Sequence, residues 1–317
     1  MVGRSAPADV VLGQDGTRSP GKASSRLARN RAALPTRNML ASRSAIVTGA
    51  GRGIGAAVSR LLAQHGASVV VNDLDLAAAE ATCAAIAGAG GVAHPVAGSV
   101  MDEGFAERLV GASLAQHGSV DIIVNNAGFL WDGVLHKMED LQWSAVLECH
   151  LTAPFKLARA ASAHMREQAK AEIAAGGAPR DRSIVNVSST SGLHGNVGQA
   201  NYAAAKAGVV GLTKTQAREW GPLGIRANVA AFGMIETRMT SAFAEDATVE
   251  VGGVQVPQGL PAHVAKTWQR EEMLGAVVPL ARKGSADEAA SGVFFLASPL
   301  ASYVTGHTLE VTGGMGI

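Results

Sequence analysis

The sequence predicts an α/β protein built on one doubly wound parallel sheet with helices on both faces. From residue 43 onward, short apolar segments of strand length alternate with longer segments that have the apolar period of a helix. Alternation of strand and helix is typical of a parallel sheet, and right-handed crossovers place helices on both of its faces. The series occurs once, so we predict a single domain over residues 43–317.

The predicted strands are apolar runs short enough to cross a buried sheet. Amphipathic segments such as residues 56–65 and 105–117 lie between them and are predicted to be helices. The strand candidates are residues 44–49, 68–73, 121–128, 183–189, 225–231 and 308–314.

The composition is that of a soluble globular protein, with 317 residues, 47% of them hydrophobic, and a net charge of +1. A nearly neutral chain gives no electrostatic reason to expect nucleic-acid or membrane-surface binding. No apolar stretch approaches the roughly 18 residues that a spanning helix requires. Cys83 and Cys149, the only cysteines, do not indicate a disulfide framework, so we expect a reducing, cytoplasmic location.

Residues 1–42 differ from the rest, with seven basic and two acidic side chains among many Ser, Pro and Gly residues. They show no periodic apolar face, so we predict a disordered basic extension. A basic, serine-rich, acid-poor segment is also typical of an organellar transit peptide. A third interpretation is that Met39 is the true start.

Residues 48–55, T-G-A-G-R-G-I-G, follow the first predicted strand and open the first helix. Their glycines permit a tight turn, a close approach of the backbone to a pyrophosphate, and close helix–sheet packing. The common dinucleotide fingerprint has its third glycine at the position of Ile54. Turns also collect glycine for structural reasons alone, but the strand–loop–helix context favours nucleotide binding. The loop residues assigned to the cofactor are Gly49, Arg52, Gly53, Ile54 and Gly55.

Asp73 ends the second predicted strand, eighteen residues after Gly55, near the spacing of a carboxylate that binds the adenosine ribose. A carboxylate there repels the 2′-phosphate of NADP, so we predict NAD as the cofactor. Arg52 favours the opposite, because an arginine in the loop could bind that phosphate, and NADP remains the alternative. The simplest interpretation of Asp73 is an ordinary acid at a strand end.

One of only two tyrosines, Tyr202, lies four residues before Lys206 on a predicted helix of small residues. Ser189 precedes Tyr202 by thirteen residues, and N-N-A-G occupies residues 125–128. Together with the glycine loop, these motifs resemble the classical short-chain dehydrogenase/reductase family over residues 43–317. The resemblance implies a Rossmann-type fold, a homotetramer, and hydride transfer between a secondary alcohol or ketone and a nicotinamide cofactor.

The resemblance also assigns roles to the catalytic residues. Tyr202 is expected to be the general acid/base, although a free tyrosine has a pKa of about 10, too high for a base at neutral pH. The Lys206 ammonium and the positive oxidised nicotinamide are expected to lower that pKa. Lys206 is also expected to hold the ribose, and Ser189 to orient the substrate oxygen. The alternative is a tyrosine and a lysine on a solvated helix face.

Further cofactor contacts follow from the same resemblance. N-A-G, residues 126–128 at the end of the third predicted strand, is similar to the family segment that supports the adenine ring and the central sheet. A-F-G-M-I-E-T, residues 231–237, is similar to the segment that binds the nicotinamide carboxamide. The residues assigned in this way are Asn126, Ala127, Gly128, Ile235 and Thr237, in addition to Tyr202 and Lys206.

His150 stands where the family usually has its fourth catalytic residue, an asparagine. Because that asparagine acts largely through its backbone and a bound water, we expect His150 to substitute for it. Cys149 and His150 are a poor metal pair, since no further ligands follow at zinc spacing. No metal site is predicted.

Two segments are longer than in typical members. Residues 167–182 lengthen the connection before the Ser189 strand, and residues 238–277 occupy the position of the family's substrate lid. The second segment is apolar and rich in Pro and Gly, as expected of a mobile cover over a bulky substrate. A surface elaboration that serves assembly is the alternative.

The chain is most similar to 3-oxoacyl-[acyl-carrier-protein] reductase-like members, so a 3-oxoacyl or 3-hydroxyacyl thioester is the expected substrate. Arg218 lies where those enzymes place an arginine that meets the carrier protein, which makes an acyl carrier protein an expected partner. Asp73 and His150 favour oxidation of a coenzyme A thioester with NAD instead. The alternatives are a steroid or other hydrophobic secondary alcohol, and a catalytically silent NAD-binding protein.

Overall fold

The computed structural model describes residues 38–243, 248–268 and 270–316, without the side chains of residues 263, 267 and 271. Most of the predicted basic extension, residues 1–37, therefore lies outside the described residues. The described chain forms a seven-stranded parallel sheet in the order β3-β2-β1-β4-β5-β6-β9 and a separate antiparallel hairpin, β7-β8. The predicted doubly wound α/β fold is confirmed. The strands are β1 Ser44–Val47, β2 Ser68–Asp73, β3 Val92–Ala97, β4 Ile122–Asn125, β5 Arg182–Ser189, β6 Ile225–Phe232, β7 Thr248–Val251, β8 Val254–Pro257 and β9 Thr308–Val311.

Strand β3 was not among the predicted strands. Its sequence, V-A-H-P-V-A, contains Pro95 and is only partly buried, which weakens an apolar strand pattern. The structure places β3 at the edge of the sheet, paired on one side with β2. A proline is tolerated there because its missing N–H can face away from the ladder.

Helices cover both faces of the sheet, and a separate hydrophobic core lies between the sheet and the helices on each face. Strand residues alternate between them: Ala45 and Val47 pack with α1, α2 and α10, while Ile46 packs with α3, α5 and α7. This alternation is the period of a strand buried on both faces. The helices are α1 Gly53–Gln64, α2 Leu76–Gly88, α3 Phe105–His117, α4 Asp140–Leu147, α5 Ala153–Ala174, α6 Thr190–His194, α7 Ala200–Trp220, α8 Ala262–Thr267, α9 Glu271–Val277 and α10 Ala286–Ala297.

The end of the predicted extension packs on the domain. Leu40 is 2% exposed in the core that contains α1, and its N–H donates to the His65 carbonyl at 2.8 Å. Leu40 is therefore part of the folded domain, which begins before residue 43. The sequence did not indicate this, because an isolated leucine in a polar segment gives no periodic signal. The disorder predicted for residues 1–37 stays a prediction.

The segment of residues 238–277 contains more regular structure than its composition suggested. Hairpin β7-β8 turns at Gly252 and Gly253, both with positive φ, at 58° and 82°. That conformation is typical of a two-residue hairpin turn, and the G-G pair was the overlooked signal. Val251 and Val256 of the hairpin are buried beside Tyr202, so this segment forms part of the wall around that residue.

The other long segment, residues 167–182, forms a network of charged groups where β5 begins. Glu172, near the end of α5, accepts hydrogen bonds from both terminal nitrogens of Arg182 at 3.0 and 2.7 Å. Arg182 is 3% exposed and also lies near the buried carboxylate of Asp121. Arg180 donates to the Ser42 carbonyl, so the network also contacts the chain before β1.

We expect Glu172→Gln to lower the free energy of unfolding by about 1–2 kcal/mol at pH 7, because a buried arginine loses its charged partner. The hydrogen bonds from Arg182 lower the pKa of Glu172 from 4.5 to about 2. A depressed pKa stabilises the fold fully above the unfolded value and progressively less as the pH falls toward the folded value. Urea unfolding should therefore show a smaller difference from wild type at pH 3 than at pH 7.

Glu167→Gln is the matched control, since Glu167 lies on the same helix and forms an exposed ion pair with Lys170. Its effect should stay within about 0.5 kcal/mol. Equal effects of the two substitutions at pH 7 would contradict the importance of the Arg182 pair.

Candidate active site

A cavity of about 890 Å³ opens at the carboxyl ends of the parallel strands. This is where ligands bind in open α/β sheets. The segments after β1 to β6 reach it, and the segment of residues 238–277 lines its other side. Residues from these segments that line the cavity include Gly53, Asp73, Ser99, Asn126, Ser189, Tyr202, Thr237 and Trp268.

Two positions of the glycine loop, Gly49 and Gly55, leave no room for a side chain. Gly49 has a φ of 61°, and a Cβ there would lie 2.7 Å from the Ala127 Cα. A Cβ on Gly55 would lie 2.2 Å from the Gly49 carbonyl oxygen. Gly53 also has a positive φ, 55°, but it borders the cavity, as does its neighbour Ile54. The loop thus brings the N-terminus of α1, with its free backbone N–H groups, to the cavity.

Asn126 fastens this loop to the end of β4. Its side-chain amide donates to the carbonyl oxygens of Thr48 and Gly49 at 3.0 and 2.9 Å. In return, the Thr48 hydroxyl accepts from the backbone N–H groups of Asn126 and Ala127, both at 3.1 Å. The role of Thr48 was not predicted.

Asp73 lies at the cavity with its carboxylate fixed by the backbone. One oxygen accepts from the Gly51 N–H at 2.8 Å, and the other accepts from the Asp75 N–H at 3.2 Å. The Arg52 guanidinium is directed to the neighbouring Asp75, at 2.6 Å. Asp73 and Arg52 gave opposite indications about the cofactor. In the structure the Asp73 carboxylate is held in place by backbone N–H groups, whereas the Arg52 guanidinium is paired with Asp75.

The segment after β6 approaches the glycine loop from across the cavity. Ile235 is 4% exposed, and its carbonyl accepts from the Thr240 hydroxyl at 2.6 Å. The side chain of Thr237 faces Gly53, since its Cγ2 would lie 3.7 Å from a Cβ at that glycine. The N-terminus of α1, the Asp73 carboxylate and Thr237 thus border the same cavity. The arrangement fits a dinucleotide.

Ser189, Tyr202 and Lys206 meet where β5 faces α7. Ser189 ends β5, and Tyr202 lies in the first turn of α7. Lys206 is 3% exposed, and its Nζ donates to the Val187 carbonyl at 2.7 Å. The same ammonium lies 5.5 Å from the centre of the Tyr202 ring. All three line the cavity.

Burial shifts the pKa values of Tyr202 and Lys206 in opposite directions. Burial raises the pKa of Tyr202 to about 12, and this effect exceeds the lowering by the Ser189 hydroxyl. Burial lowers the pKa of Lys206 to about 8. Both shifts disfavour the charged form, because both groups lose water on burial, and they leave the Tyr202 phenol protonated at neutral pH. The lowering expected from Lys206 together with the oxidised nicotinamide stays a prediction.

His150 lies in a π-helical turn, Glu148–Thr152, between α4 and α5. Such turns are frequent at functional sites. Its Nε2 lies 2.8 Å from the Phe129 carbonyl, and its ring meets Tyr202 edge-on at 5.0 Å. Burial, followed by the Lys206 charge, lowers the pKa of His150 well below 6.5, so the imidazole is neutral. The Nδ1 atom is buried with no partner among the described residues.

Gly128 makes room for this imidazole. A Cβ on Gly128 would lie 2.2 Å from the His150 Cε1. A side chain at residue 128 would therefore displace the ring. The predicted adenine-side segment thus also contacts the histidine that packs beside Tyr202.

Several buried amides around Tyr202 were not predicted. The Asn201 side chain donates to the Trp131 carbonyl at 3.0 Å and to the Gln142 carbonyl at 3.1 Å. Gln142 in turn donates to the carbonyls of Trp131 and Asp132 at 2.8 and 2.9 Å. The signal in the sequence was the polar Q-A-N before Tyr202, on a helix face that the structure buries.

Residues 43–248 match the family model described as short chain dehydrogenase. The chain belongs to this family. As a short-chain dehydrogenase, it is an oxidoreductase that acts on a CH–OH or keto group and depends on a nicotinamide cofactor. Among the described residues, no helix combines the length and the apolarity needed to cross a membrane.

The short-chain dehydrogenase is similar over nearly its whole domain to three curated reductases, each named 3-oxoacyl-[acyl-carrier-protein] reductase. It is 40% identical to that of Vibrio cholerae serotype O1 over 87% of this chain and 98% of the relative. It is 39% identical to that of Escherichia coli K12 over 86% and 96% of the two chains. The Thermotoga maritima protein is 36% identical over 86% and 97%.

We expect His150→Asn in this short-chain dehydrogenase to keep turnover within about tenfold of wild type, about 1.4 kcal/mol in the barrier. The imidazole is neutral, and its Nε2 lies within hydrogen-bond distance of both the carbonyl and the N–H of Phe129, groups to which an asparagine amide can also hydrogen-bond. The measurement is kcat for a ketone substrate, with exposed His136→Asn as the control. A loss of a hundredfold or more would show that the imidazole itself takes part in proton transfer.

Proposed function

We propose that the protein reduces a 3-oxoacyl thioester to the 3-hydroxyacyl thioester with a nicotinamide cofactor. The observation that supports this proposal is the buried, protonated Tyr202 beside Ser189, at a cavity whose other half fits a dinucleotide. The names of the three relatives support the same substrate class. A protonated phenol suits reduction, because the carbonyl oxygen must gain a proton as its carbon gains a hydride.

The proposed mechanism divides the work among a few side chains. The glycine loop, Asp73 and the segment after β6 would hold the nicotinamide cofactor, which would supply the hydride for the carbonyl carbon. The Ser189 hydroxyl donates a hydrogen bond to the carbonyl oxygen and orients it, and Tyr202 O–H transfers its proton to that oxygen. Lys206, anchored at Val187, places a positive charge next to the resulting tyrosinate and stabilises it. His150 supports the Tyr202 ring as a neutral group.

We expect Tyr202→Phe to lower kcat by at least about a hundredfold, the scale of general acid catalysis. Cofactor binding should persist, because the phenylalanine ring keeps the packing of the buried tyrosine. Steady-state turnover and a fluorescence titration of the reduced cofactor separate these two effects. The matched control is Tyr303→Phe, since Tyr303 is fully exposed. Near-normal turnover in the Tyr202 variant would refute the mechanism.

We propose that the enzyme prefers NAD over NADP. The support is the fixed carboxylate of Asp73, held by two backbone N–H groups, together with the Asp75 carboxylate that engages Arg52. A 2′-phosphate would meet both negative charges, and it carries nearly two of its own at neutral pH. Arg52 is half exposed, so its charge is largely screened by solvent.

The expected preference is at least about tenfold in kcat/KM, about 1.4 kcal/mol. Asp73→Ala should narrow or reverse the ratio, measured with both reduced cofactors on one ketone. Exposed Asp287→Ala is the control and should leave the ratio unchanged. A wild-type preference for NADP would mean that Arg52 has the larger influence.

A bulky hydrophobic ketone, such as a steroid, is the second candidate substrate. The apolar lining of the cavity from residues 249–277 favours it, since Leu260, Val264, Trp268 and Val277 all contribute. A panel of 3-oxoacyl thioesters and steroid ketones, each with both cofactors, separates the two candidates. Turnover of either also excludes the catalytically silent alternative.

The partners expected from the sequence stay predictions. Arg218 is exposed near the end of α7, where an acyl carrier protein could reach it, and this supports a carrier-bound substrate. The homotetramer, the cytoplasmic location and the use of residues 238–277 as a substrate lid remain expectations of the same kind.

A further inference from the structure

A carboxylate lies in the cavity on the same side as the catalytic residues. Asp132 belongs to the connection between β4 and α4, and it lines the cavity together with Ser189 and Tyr202. Its charge is close enough to raise the pKa of Tyr202. The sequence motifs assigned no role to this residue, and the proposed mechanism does not use it.

Hydrogen bonds fix both the side chain and the backbone around Asp132. Its Oδ2 accepts from the Gln199 amide nitrogen at 3.0 Å. The orientation of that amide is fixed, because its oxygen accepts from the Ser191 hydroxyl at 2.8 Å and from the Asn196 amide at 3.0 Å. The backbone is fixed as well, since the Gly133 N–H donates to the Gly198 carbonyl at 2.8 Å.

The carboxylate has no cationic partner among the residues that the structure describes. Within the same residues, its second oxygen accepts no hydrogen bond and is left to the cavity. Desolvation raises the pKa of Asp132, and the Gln199 hydrogen bond opposes this. A fixed negative charge without a cationic partner among the described residues therefore lies exposed on the wall of the cavity that Ser189 and Tyr202 also line.

We propose that Asp132 determines specificity by excluding substrates that carry a carboxylate directly on the reacting carbonyl or one carbon away from it. Two like charges that lie a few ångströms apart in the cavity repel each other, even where solvent partly screens them. A thioester or ester has no charge at that position and avoids this repulsion. Discrimination by a repulsive group is a common way to reject a close analogue. The inference rests on the proposed function for its natural substrate, and it deepens that function by separating thioesters from free 3-oxo acids.

The test compares pairs of substrates that differ in one charge. Methyl acetoacetate and acetoacetate form the acyl pair, and 1-phenyl-1,2-propanedione and benzoylformate form a pair unrelated to acyl chains. Each is assayed by kcat/KM with wild type, Asp132→Asn, Asp132→Ser and Asp132→Glu. Asparagine keeps an oxygen for the Gln199 hydrogen bond, and serine provides a second neutral variant should the first fold poorly. Exposed Asp140→Asn, eight residues away, is the matched control.

We expect wild type to prefer the neutral member of each pair. The neutral variants should raise kcat/KM for the acid at least about tenfold, about 1.4 kcal/mol, and change that for the neutral ketone less than about threefold. Asp132→Glu keeps the charge and should keep the exclusion, and Asp140→Asn should behave as wild type.

An unchanged ratio in a folded neutral variant would overturn the inference, as would equal losses on both members of a pair with a lowered melting temperature. The latter result would mean that Asp132 has only a structural role. If the dione is reduced and the acetoacetate ester is not, the proposed 3-oxoacyl substrate is wrong. The dione pair still tests the effect of the charge in that case.

Discussion

The contact between β5 and α7 fixes the relative positions of the reacting groups. The Lys206 ammonium donates to the Val187 carbonyl at 2.7 Å, and the Ser188 hydroxyl donates to the Lys206 carbonyl at 2.8 Å. Gly192 of the following helix, α6, also packs closely on α7, because a Cβ there would lie 2.6 Å from the Lys206 Cβ. Strand β5 and helix α7 are therefore linked through both the side chain and the backbone carbonyl of Lys206. Ser189 at the strand end and Tyr202 one helical turn before the lysine then face the same cavity.

The same contact explains the electrostatics of the site. An ammonium anchored to a carbonyl inside the protein loses most of its hydration, and so does the phenol beside it, so burial acts on both against the charged form. The protein keeps a neutral acid next to a cation. In the proposed mechanism, Lys206 stabilises the negative charge that develops on Tyr202 as its proton leaves. Ser189 contributes in the same direction, since its hydroxyl already lowers the pKa of Tyr202.

Two groups distinguish this site from the arrangement that the motifs alone describe. His150 fills the space beside Tyr202 with a neutral ring that requires a glycine at residue 128. Asp132 adds a negative charge that is held by Gln199 and belongs to no ion pair among the described residues. The first shapes the packing around the acid, and the second acts on the choice of substrate. Hairpin β7-β8 completes the wall, with Val251 and Val256 packed in the cluster that contains Tyr202.

The sequence by itself determined the fold class and placed Ser189, Tyr202 and Lys206 on the elements that the structure shows. Apolar periodicity reports burial on both faces of a sheet, and glycine spacing reports close backbone approach. Strand β3 escaped because a proline at a sheet edge breaks the pattern without breaking the strand. Only the tertiary structure decided that burial raises the pKa of Tyr202, that Arg52 is engaged by Asp75, and that Asp132 lines the cavity. Burial and charge pairing depend on distances between segments far apart in the chain, and a linear pattern does not contain those distances.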